Sequence, residues 1–514
     1  MPRLRCLAQL ALLASLPGRT ALEQGWDGWL PDSFPFPDQC ASDRCRLGNQ
    51  ADLARVTGVR NLLQLKPLVQ RLNAGLPVTV AAIGSSITAD FAGCFHTSLD
   101  ALRSRVNTLP ITIGLNPTRI ACAANSSARF GFASALMSAI NKTWPHPDHL
   151  LLNSGWGGAT LSSFHDRGCA TDWLPRELDL LLLEQYQVLQ YGRGANEPQR
   201  PGEEVERLWN DIRTNLVKPP AVFLLHFGDV LPLRLQTCLY SGGTTVGSCG
   251  LAECQNWTHF MSPARSHQRE EALDVTAHYY GWSSFSMRNL VASAFRDGMH
   301  TSRNESECVF MAQVFRDRIH PADRGAMLLG NALIQHLADA VDFHRAFQTT
   351  LPVQPPDAPL AAGAWVVERD VCMEAAALNV SDARNWAFHA TEMVAGREVP
   401  KPGHISSAAD GMLQVELALA RQGTHTITIL YLRSYSPDMG AASVACSNGC
   451  MCPSLTLLGG FSQTEPYKHV SIVESSRLVA DSPAGACRLT FSVNTTALET
   501  PGFKFKLLGL SWQK

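Results

Sequence analysis

Four short apolar runs in the first half of the chain constrain its fold more than any other feature. They occupy residues 78–83, 150–152, 180–183 and 221–225. None of the runs alternates apolar with polar residues, which indicates strands that are buried on both faces of a parallel sheet. Patterns typical of amphipathic helices lie between the runs and after the last of them, as at residues 202–216 and 269–280. The sequence therefore predicts an α/β fold, a three-layer αβα doubly wound parallel sheet.

The last third of the chain has a different pattern. Residues 349–362 are rich in proline and alanine, as expected of a linker. Beyond them, runs such as 414–419 and 426–431 alternate or are β-branched, and Gly and Pro separate the runs. This pattern predicts a C-terminal antiparallel β-sandwich domain. The predicted organisation is residues 1–21 as a signal peptide, 22–352 as the α/β domain and 353–514 as the linker and sandwich.

The N-terminus predicts export. Arg3 and Arg5 precede an apolar stretch at residues 6–16, which is too short to span a bilayer, and small residues follow. An uncleaved anchor is the alternative. No later stretch is apolar enough for a second span, so we expect a secreted, extracellular protein with no integral membrane span after signal removal. Six glycosylation sequons agree with that route: Asn125, Asn141, Asn256, Asn304, Asn379 and Asn494.

The cysteines favour the same compartment. The chain has 15 cysteines, one inside the signal, and the even set of 14 that remains (15 minus 1) suggests disulfide bonds. Cys446, Cys450 and Cys452 resemble a metal knuckle, but no His stands at ligand spacing, so we expect disulfides there and no metal. Nine cysteines precede the linker and five follow it. Either one bridge crosses the linker, with Cys308 and Cys372 the nearest pair, or each part keeps a free thiol.

The charge of the chain argues against a polyanionic partner. The formal net charge is −2, the isoelectric point is about 6.8, and there is no long basic run. Nucleic acid is therefore not an expected partner.

Two distant segments together supply the groups of a nucleophilic serine site. Gly84-Ser85-Ser86-Ile87-Thr88 follows the first apolar run, and Asp317-Arg318-Ile319-His320-Pro321 lies far downstream. Serine needs an imidazole to remove its proton, and a carboxylate orients that imidazole. We predict Ser86 as the nucleophile, His320 as the base and Asp317 as its orienting partner. Pro321 places His320 in a loop, before a helix that includes residues 327–341.

These segments resemble the blocks of the SGNH (GDSL-like) hydrolases. The first block of that family, Gly-Asp-Ser-(Ile/Leu)-Thr, matches residues 84–88, with Ser85 in the usual Asp position. The second, Asn-X-Gly-X-X-Gly, matches residues 153–158, and the fifth, Asp-X-X-His-Pro, matches residues 317–321. The resemblance implies that Gly158 donates a backbone N–H to the oxyanion. Residues 277–286 also resemble the helix-to-strand passage of the family.

The third block departs from the family pattern. The family places an Asn that serves as an oxyanion donor after the corresponding strand, whereas here residues 180–184 run into Gln185 and Gln187. Either glutamine can supply an amide, with Gln187 the first candidate, or both are ordinary loop residues. Asn210 and Asp211 lie inside a predicted helix, so we reject them as the missing block.

The resemblance implies a secreted serine esterase that acts on acyl esters, acetyl esters among them, of small molecules or extracellular polysaccharide, with no cofactor. Two alternatives stay open: a catalytically impaired glycan-binding or wall-associated protein, and an acyltransferase to sugar hydroxyls. The C-terminal segments 401–404, 432–435, 446–452 and 504–506 are also similar to secreted plant and green-algal SGNH-domain proteins.

Overall fold

The structure is a computed structural model of the 514-residue chain. It describes residues 57–85, 87–88, 120–123, 131–155, 159, 164, 174–186, 201–227, 264–296, 321, 323–347, 360, 371–394, 397–419, 422–434, 436–460, 471–494 and 502–512.

The first part of the described chain alternates strands with helices. Its strands are β1 Thr79–Ile83, β2 Ile120–Ala123, β3 Leu150–Asn153, β4 Leu180–Tyr186, β5 Ala221–Phe227 and β6 Ser283–Ser286. Its helices are α1 Lys66–Asn73, α2 Phe132–Thr143, α3 Pro201–Arg213, α4 Ala264–Tyr280, α5 Met287–Arg296 and α6 Asp323–Phe347.

The six strands form one sheet in the order β2-β3-β1-β4-β5-β6. Every neighbouring pair from β3 to β6 is parallel, whereas β2 runs antiparallel to β3 at the edge. The predicted doubly wound parallel sheet is confirmed, and all four apolar runs are strands in it. The antiparallel edge strand was not predicted, because its four residues, Ile-Ala-Cys-Ala, are too short and mixed to stand out as an apolar run.

The leucines of β4 show why its sequence does not alternate. Leu180 and Leu182 pack in one core cluster with residues of α1, α2 and α6. Leu181 and Leu183 pack in a second cluster with residues of α3 and α4. Both faces of the sheet are therefore covered by helices, which gives the three predicted layers.

The helices largely follow their predicted positions. Helix α3 contains Asn210 and Asp211, as the rejection of that pair assumed. The helix after Pro321 begins at Asp323 and continues to Phe347, so it is longer than residues 327–341. Pro321 itself forms an isolated bridge and precedes the helix. Among the described helices, none combines the length and the apolarity that crossing a membrane requires.

The C-terminal part is built from antiparallel strands. They are β7 Val371–Glu374, β8 Val380–Arg384, β9 Trp386–Val394, β10 Arg397–Ser406, β11 Met412–Ala418, β12 Gly423–Arg433, β13 Ala441–Ser447, β14 Leu455–Leu458, β15 Ile472–Ser482, β16 Ala486–Asn494 and β17 Phe505–Trp512.

These strands make two sheets with an apolar core. One sheet has the order β15-β12-β17-β10-β9, with β7 also paired to β17, and the other has the order β14-β13-β16-β11-β8. Leucine, isoleucine and aromatic side chains of both sheets form a single cluster between them. The predicted antiparallel sandwich is therefore confirmed.

Strand β12 has side chains in the cores of both the sandwich and the α/β part. Its side chains Ile427 and Ile429 belong to the sandwich core, whereas Leu430 belongs to the cluster that contains Trp209 of α3. Strand β17 also contributes to both clusters, and all eight of its residues are buried. The α/β part therefore covers part of the outer face of this sheet, around Leu430, Val473 and Leu508.

Four of the C-terminal cysteines are paired. Cys446 is bonded to Cys452, and Cys450 is bonded to Cys487. The disulfide interpretation of the close cysteine triplet is confirmed. Cys308 and the side chain of Cys372 lie outside the described residues, so a bridge across the linker stays a prediction.

Candidate active site

The strand order places the end of β1 at the switch point of the sheet. Strand β1 lies between β3 and β4, so the chain winds outward from it in both directions. In doubly wound sheets, ligands bind outside the carboxyl ends of the strands at this point. Residues 84–88 begin where β1 ends, at Ile83. The loop that begins at Gly84 therefore starts at the edge of the sheet where a ligand is expected.

The five residues predicted to do chemistry lie outside the described residues: Ser86, Gly158, Gln187, Asp317 and His320. Their roles in the triad and the oxyanion hole stay predictions. The alternative donor, Gln185, lies in β4, but its side chain is likewise outside the described set. The structure does describe Ser85 and Ile87, the two residues that flank Ser86.

A single carboxylate, that of Glu184 in β4, contacts both ends of the loop that follows β1. The backbone N–H of Ser85 donates to Glu184 Oε2 over 2.6 Å, and the Ser85 hydroxyl donates to the same oxygen over 2.9 Å and to Oε1 over 3.2 Å. The Thr88 hydroxyl also donates to Oε2, over 3.0 Å. The N–H of Ile87 donates to Ser85 Oγ over 3.2 Å, so the residues before and after position 86 are also joined to each other.

A second set of contacts joins this loop to the end of β3. Asn153 is the last residue of β3 and the first of the second motif block, and its Nδ2 donates to the backbone carbonyl of Thr88 over 3.0 Å. The N–H of Gly155 donates to Asn153 Oδ1 over 2.9 Å. The first and second blocks, 65 residues apart at Thr88 and Asn153, therefore meet at one edge of the sheet.

Glu184 is buried, with 1% of its surface exposed. Burial disfavours the charged carboxylate and raises the pKa of Glu184 to about 7, although the hydrogen bonds from Ser85 and Thr88 oppose the rise. The pKa of Glu184 is thus the result of two opposing effects: desolvation raises it, and the donated hydrogen bonds lower it.

Gly84 has no side chain, and atoms of Glu184 and Thr88 fill the space that a Cβ at this position would occupy. A Cβ atom at position 84 would lie 2.3 Å from Glu184 Oε2 and 2.7 Å from Glu184 Cβ. It would also lie 2.3 Å from Thr88 Oγ1. Only glycine allows β1 and β4 to bring the carboxylate against the loop without displacing it.

Sequence reasoning did not identify Glu184 as part of the site, although a signal for it was present. Glu184 follows four consecutive leucines in a strand predicted to be buried on both faces. Glutamate is almost never fully buried unless it is paired, so a glutamate in such a strand requires buried donors nearby. The identity of those donors depends on strand order, which the local pattern does not contain.

A separate polar cluster lies near the end of β5. His226 Nε2 is 3.2 Å from Asp274 Oδ1, and the hydroxyl of Ser284 donates to the same oxygen over 2.5 Å. Ser284 Oγ in turn accepts from the N–H of Val59 over 2.8 Å. Because these bonds join β5, β6, α4 and the segment before α1, we interpret this cluster as structural.

Comparisons with known proteins give only weak likenesses. No protein-family model matches the sequence, and no curated protein matches it either. Among solved structures, a two-domain esterase (CEX) active on acetylated mannans, co-crystallised with mannopentaose, has 17% identity and a TM-score of 0.49. That alignment covers 90% of this chain and 98% of the esterase.

A second likeness is limited to about half of the chain. The acetylxylan esterase Axe2 from Geobacillus stearothermophilus has 12% identity and a TM-score of 0.31, over 51% of this chain and 94% of Axe2. With TM-scores below 0.5, these likenesses assign no activity to the present chain. They leave the resemblance of its C-terminal part to plant and green-algal proteins untested.

Proposed function

We propose that this chain is a secreted serine esterase of SGNH type that hydrolyses acyl esters, including acetyl esters of extracellular carbohydrate. The observation that carries the proposal is the convergence of the first two motif blocks at the switch point, where Glu184 and Asn153 hold the residues around Ser86. An exposed nucleophile on a rigid turn at that edge is what acyl transfer requires.

The proposed reaction has two steps. Ser86 Oγ attacks the ester carbonyl as His320 takes its proton, and Asp317 holds the His320 ring and stabilises the imidazolium. Backbone N–H groups of Ser86 and Gly158 receive the negative charge of the tetrahedral intermediate. The alcohol leaves with the proton from His320, and water then hydrolyses the acyl-enzyme by the reverse sequence.

A fluorophosphonate probe tests the nucleophile. We expect covalent labelling of the full-length protein and none of Ser86→Ala. A panel of acetyl, butyryl and longer aryl esters then measures turnover and the acyl preference. Absence of labelling in well-folded protein would reject the esterase and favour the glycan-binding alternative, which the missing Asn of the third block motivates. Transfer of the acyl group to an added sugar in place of water would identify an acyltransferase.

Replacement of Gln187 tests the oxyanion assignment. If its amide stabilises the oxyanion, Gln187→Ala lowers kcat by about 10²-fold and leaves stability nearly unchanged. Gln185→Ala is the matched comparison, because it removes the other candidate amide. Wild-type rates in both variants would show that the backbone donors are sufficient.

A further inference from the structure

Ser85 contacts two different parts of the molecule: its own loop, at Ile87, and the neighbouring strand β4, at Glu184. Position 85 carries a hydroxyl where the resembling family carries a carboxylate, and this hydroxyl both accepts from Ile87 N–H and donates to Glu184. Ser85 therefore connects the residue after position 86 to a carboxylate on the neighbouring strand. The carboxyl group at this site comes from β4 and not from the loop itself.

We infer that Glu184 is a positioning residue for the nucleophile, holding the backbone on both sides of Ser86 through Ser85 and Thr88. The inference rests on the proposed function for the identity of Ser86 as nucleophile. It does not make Glu184 a catalytic residue, since its carboxylate is engaged by the loop and is not free to contact a substrate.

The burial of Glu184 supports a positioning role over a contribution to stability alone. A buried carboxylate is costly unless its oxygens accept hydrogen bonds, and the donors that Glu184 finds are those of Ser85 and Thr88. The four preceding residues of β4 are leucines. Continuing that apolar run would leave the Ser85 N–H and two hydroxyls without their acceptor, at about 1–3 kcal/mol for each buried group. The carboxylate therefore specifies one loop conformation.

Two substitutions separate positioning from packing. Glu184→Gln retains an oxygen that can occupy the place of Oε2, the acceptor of three hydrogen bonds. Glu184→Leu retains the volume but accepts no hydrogen bond. Glu206→Gln is the matched control, because Glu206 is another buried carboxylate, on α3, that accepts from the hydroxyl of Tyr280 over 2.6 Å.

The readouts are the rate of fluorophosphonate labelling and the kcat and KM for an aryl acetate. We expect Glu184→Leu to lower the labelling rate and kcat by about 10²-fold with KM nearly unchanged, because a nucleophile misplaced by about 1 Å loses that much. Glu184→Gln should stay within a few-fold of wild type, and the Glu206→Gln control should label at the wild-type rate. Wild-type labelling of Glu184→Leu would overturn the inference, as would an equal loss in the Leu and Gln variants.

Hydrogen exchange tests the inference even if the proposed activity is absent. We expect the amides of Ser85 and Ile87 to exchange at least tenfold faster in Glu184→Leu than in wild type, with exchange in β5 unchanged. An unlabelled wild-type protein that shows this local change would reject the esterase and keep Glu184 as the residue that orders the loop. Unchanged exchange at Ser85 and Ile87 would reject the positioning role independently of any activity.

Discussion

The buried carboxylate of Glu184 should make the stability of the α/β part depend on pH. Burial raises the pKa of Glu184 from 4.5 to about 7 in the folded protein, whereas in the unfolded chain the carboxyl keeps its ordinary pKa. Between these values the folded state holds a proton that the unfolded state has released. Stability is therefore greatest below about pH 4.5 as far as this group is concerned, and it falls as pH rises to about 7.

The size of the effect follows from the two pKa values. They differ by about 2.5 (7 minus 4.5), and each pH unit corresponds to about 1.36 kcal/mol, so the loss approaches about 3 kcal/mol. Glu184→Gln has no titrating group at this position, so its stability lacks this contribution. The difference in free energy of unfolding between wild type and Glu184→Gln should then change by about 3 kcal/mol between pH 4.5 and 7.5.

Urea unfolding at half-unit pH intervals, followed by circular dichroism at 222 nm, measures this difference. Within the described chain all α-helices lie in the α/β part, so the signal reports on that part. Two other buried groups also make stability depend on pH in this range, because burial raises the pKa of Asp339 from 3.8 to about 6 and lowers the pKa of His336 from 6.5 to about 3. Both are present in wild type and variant, so their contributions cancel. A flat difference, or one that favours wild type as pH rises, would show that the hydrogen bonds from Ser85 and Thr88 outweigh burial.

Three further predictions concern the site, the sandwich and the route of export. Gly84→Ala should cost about 1–3 kcal/mol and lower fluorophosphonate labelling by at least tenfold, because its Cβ would contact Glu184; unchanged labelling and unfolding midpoint would contradict the described geometry. Replacing Cys450 and Cys487 by Ala should lower the urea midpoint, because their disulfide joins residues 37 positions apart and contributes about 4 kcal/mol to the free energy of unfolding. An unchanged midpoint would refute this contribution. Asn379 is exposed, so on treatment with an N-glycosidase the secreted wild-type protein should lose more mass than the Asn379→Gln variant, by one glycan; equal losses from the two proteins would count against glycosylation there.

Much of the fold could be predicted because the relevant signals are local. The leucine run of β4 predicts a strand that is buried on both faces. The apolar run of β1 ends abruptly at Gly84, which predicts the turn that follows this strand. The sandwich strands β11, β12 and β17 were recognisable for the same reason. Their β-branched residues and the intervening turn residues are short-range features.

Strand β17 shows where local patterns were insufficient. An alternating pattern predicts one buried face and one exposed face, yet all eight residues from Phe505 to Trp512 are buried. The second face is covered because Leu508 packs in the cluster that contains Trp209 of α3. The burial of that face depends on the docking of two distant parts of the chain, which no short window of sequence contains.

The sequence by itself determined that a turn follows β1 at the edge of the sheet where ligands bind, and it predicts a serine nucleophile there. Only the tertiary structure showed which group holds the adjacent backbone. Ser85 and Glu184 are 99 residues apart, and they meet because β1 and β4 are neighbours in the sheet. Strand order is set by the packing of helices on both faces, a property of the whole domain. The carboxylate that orders the loop therefore becomes visible only when the strands are placed side by side.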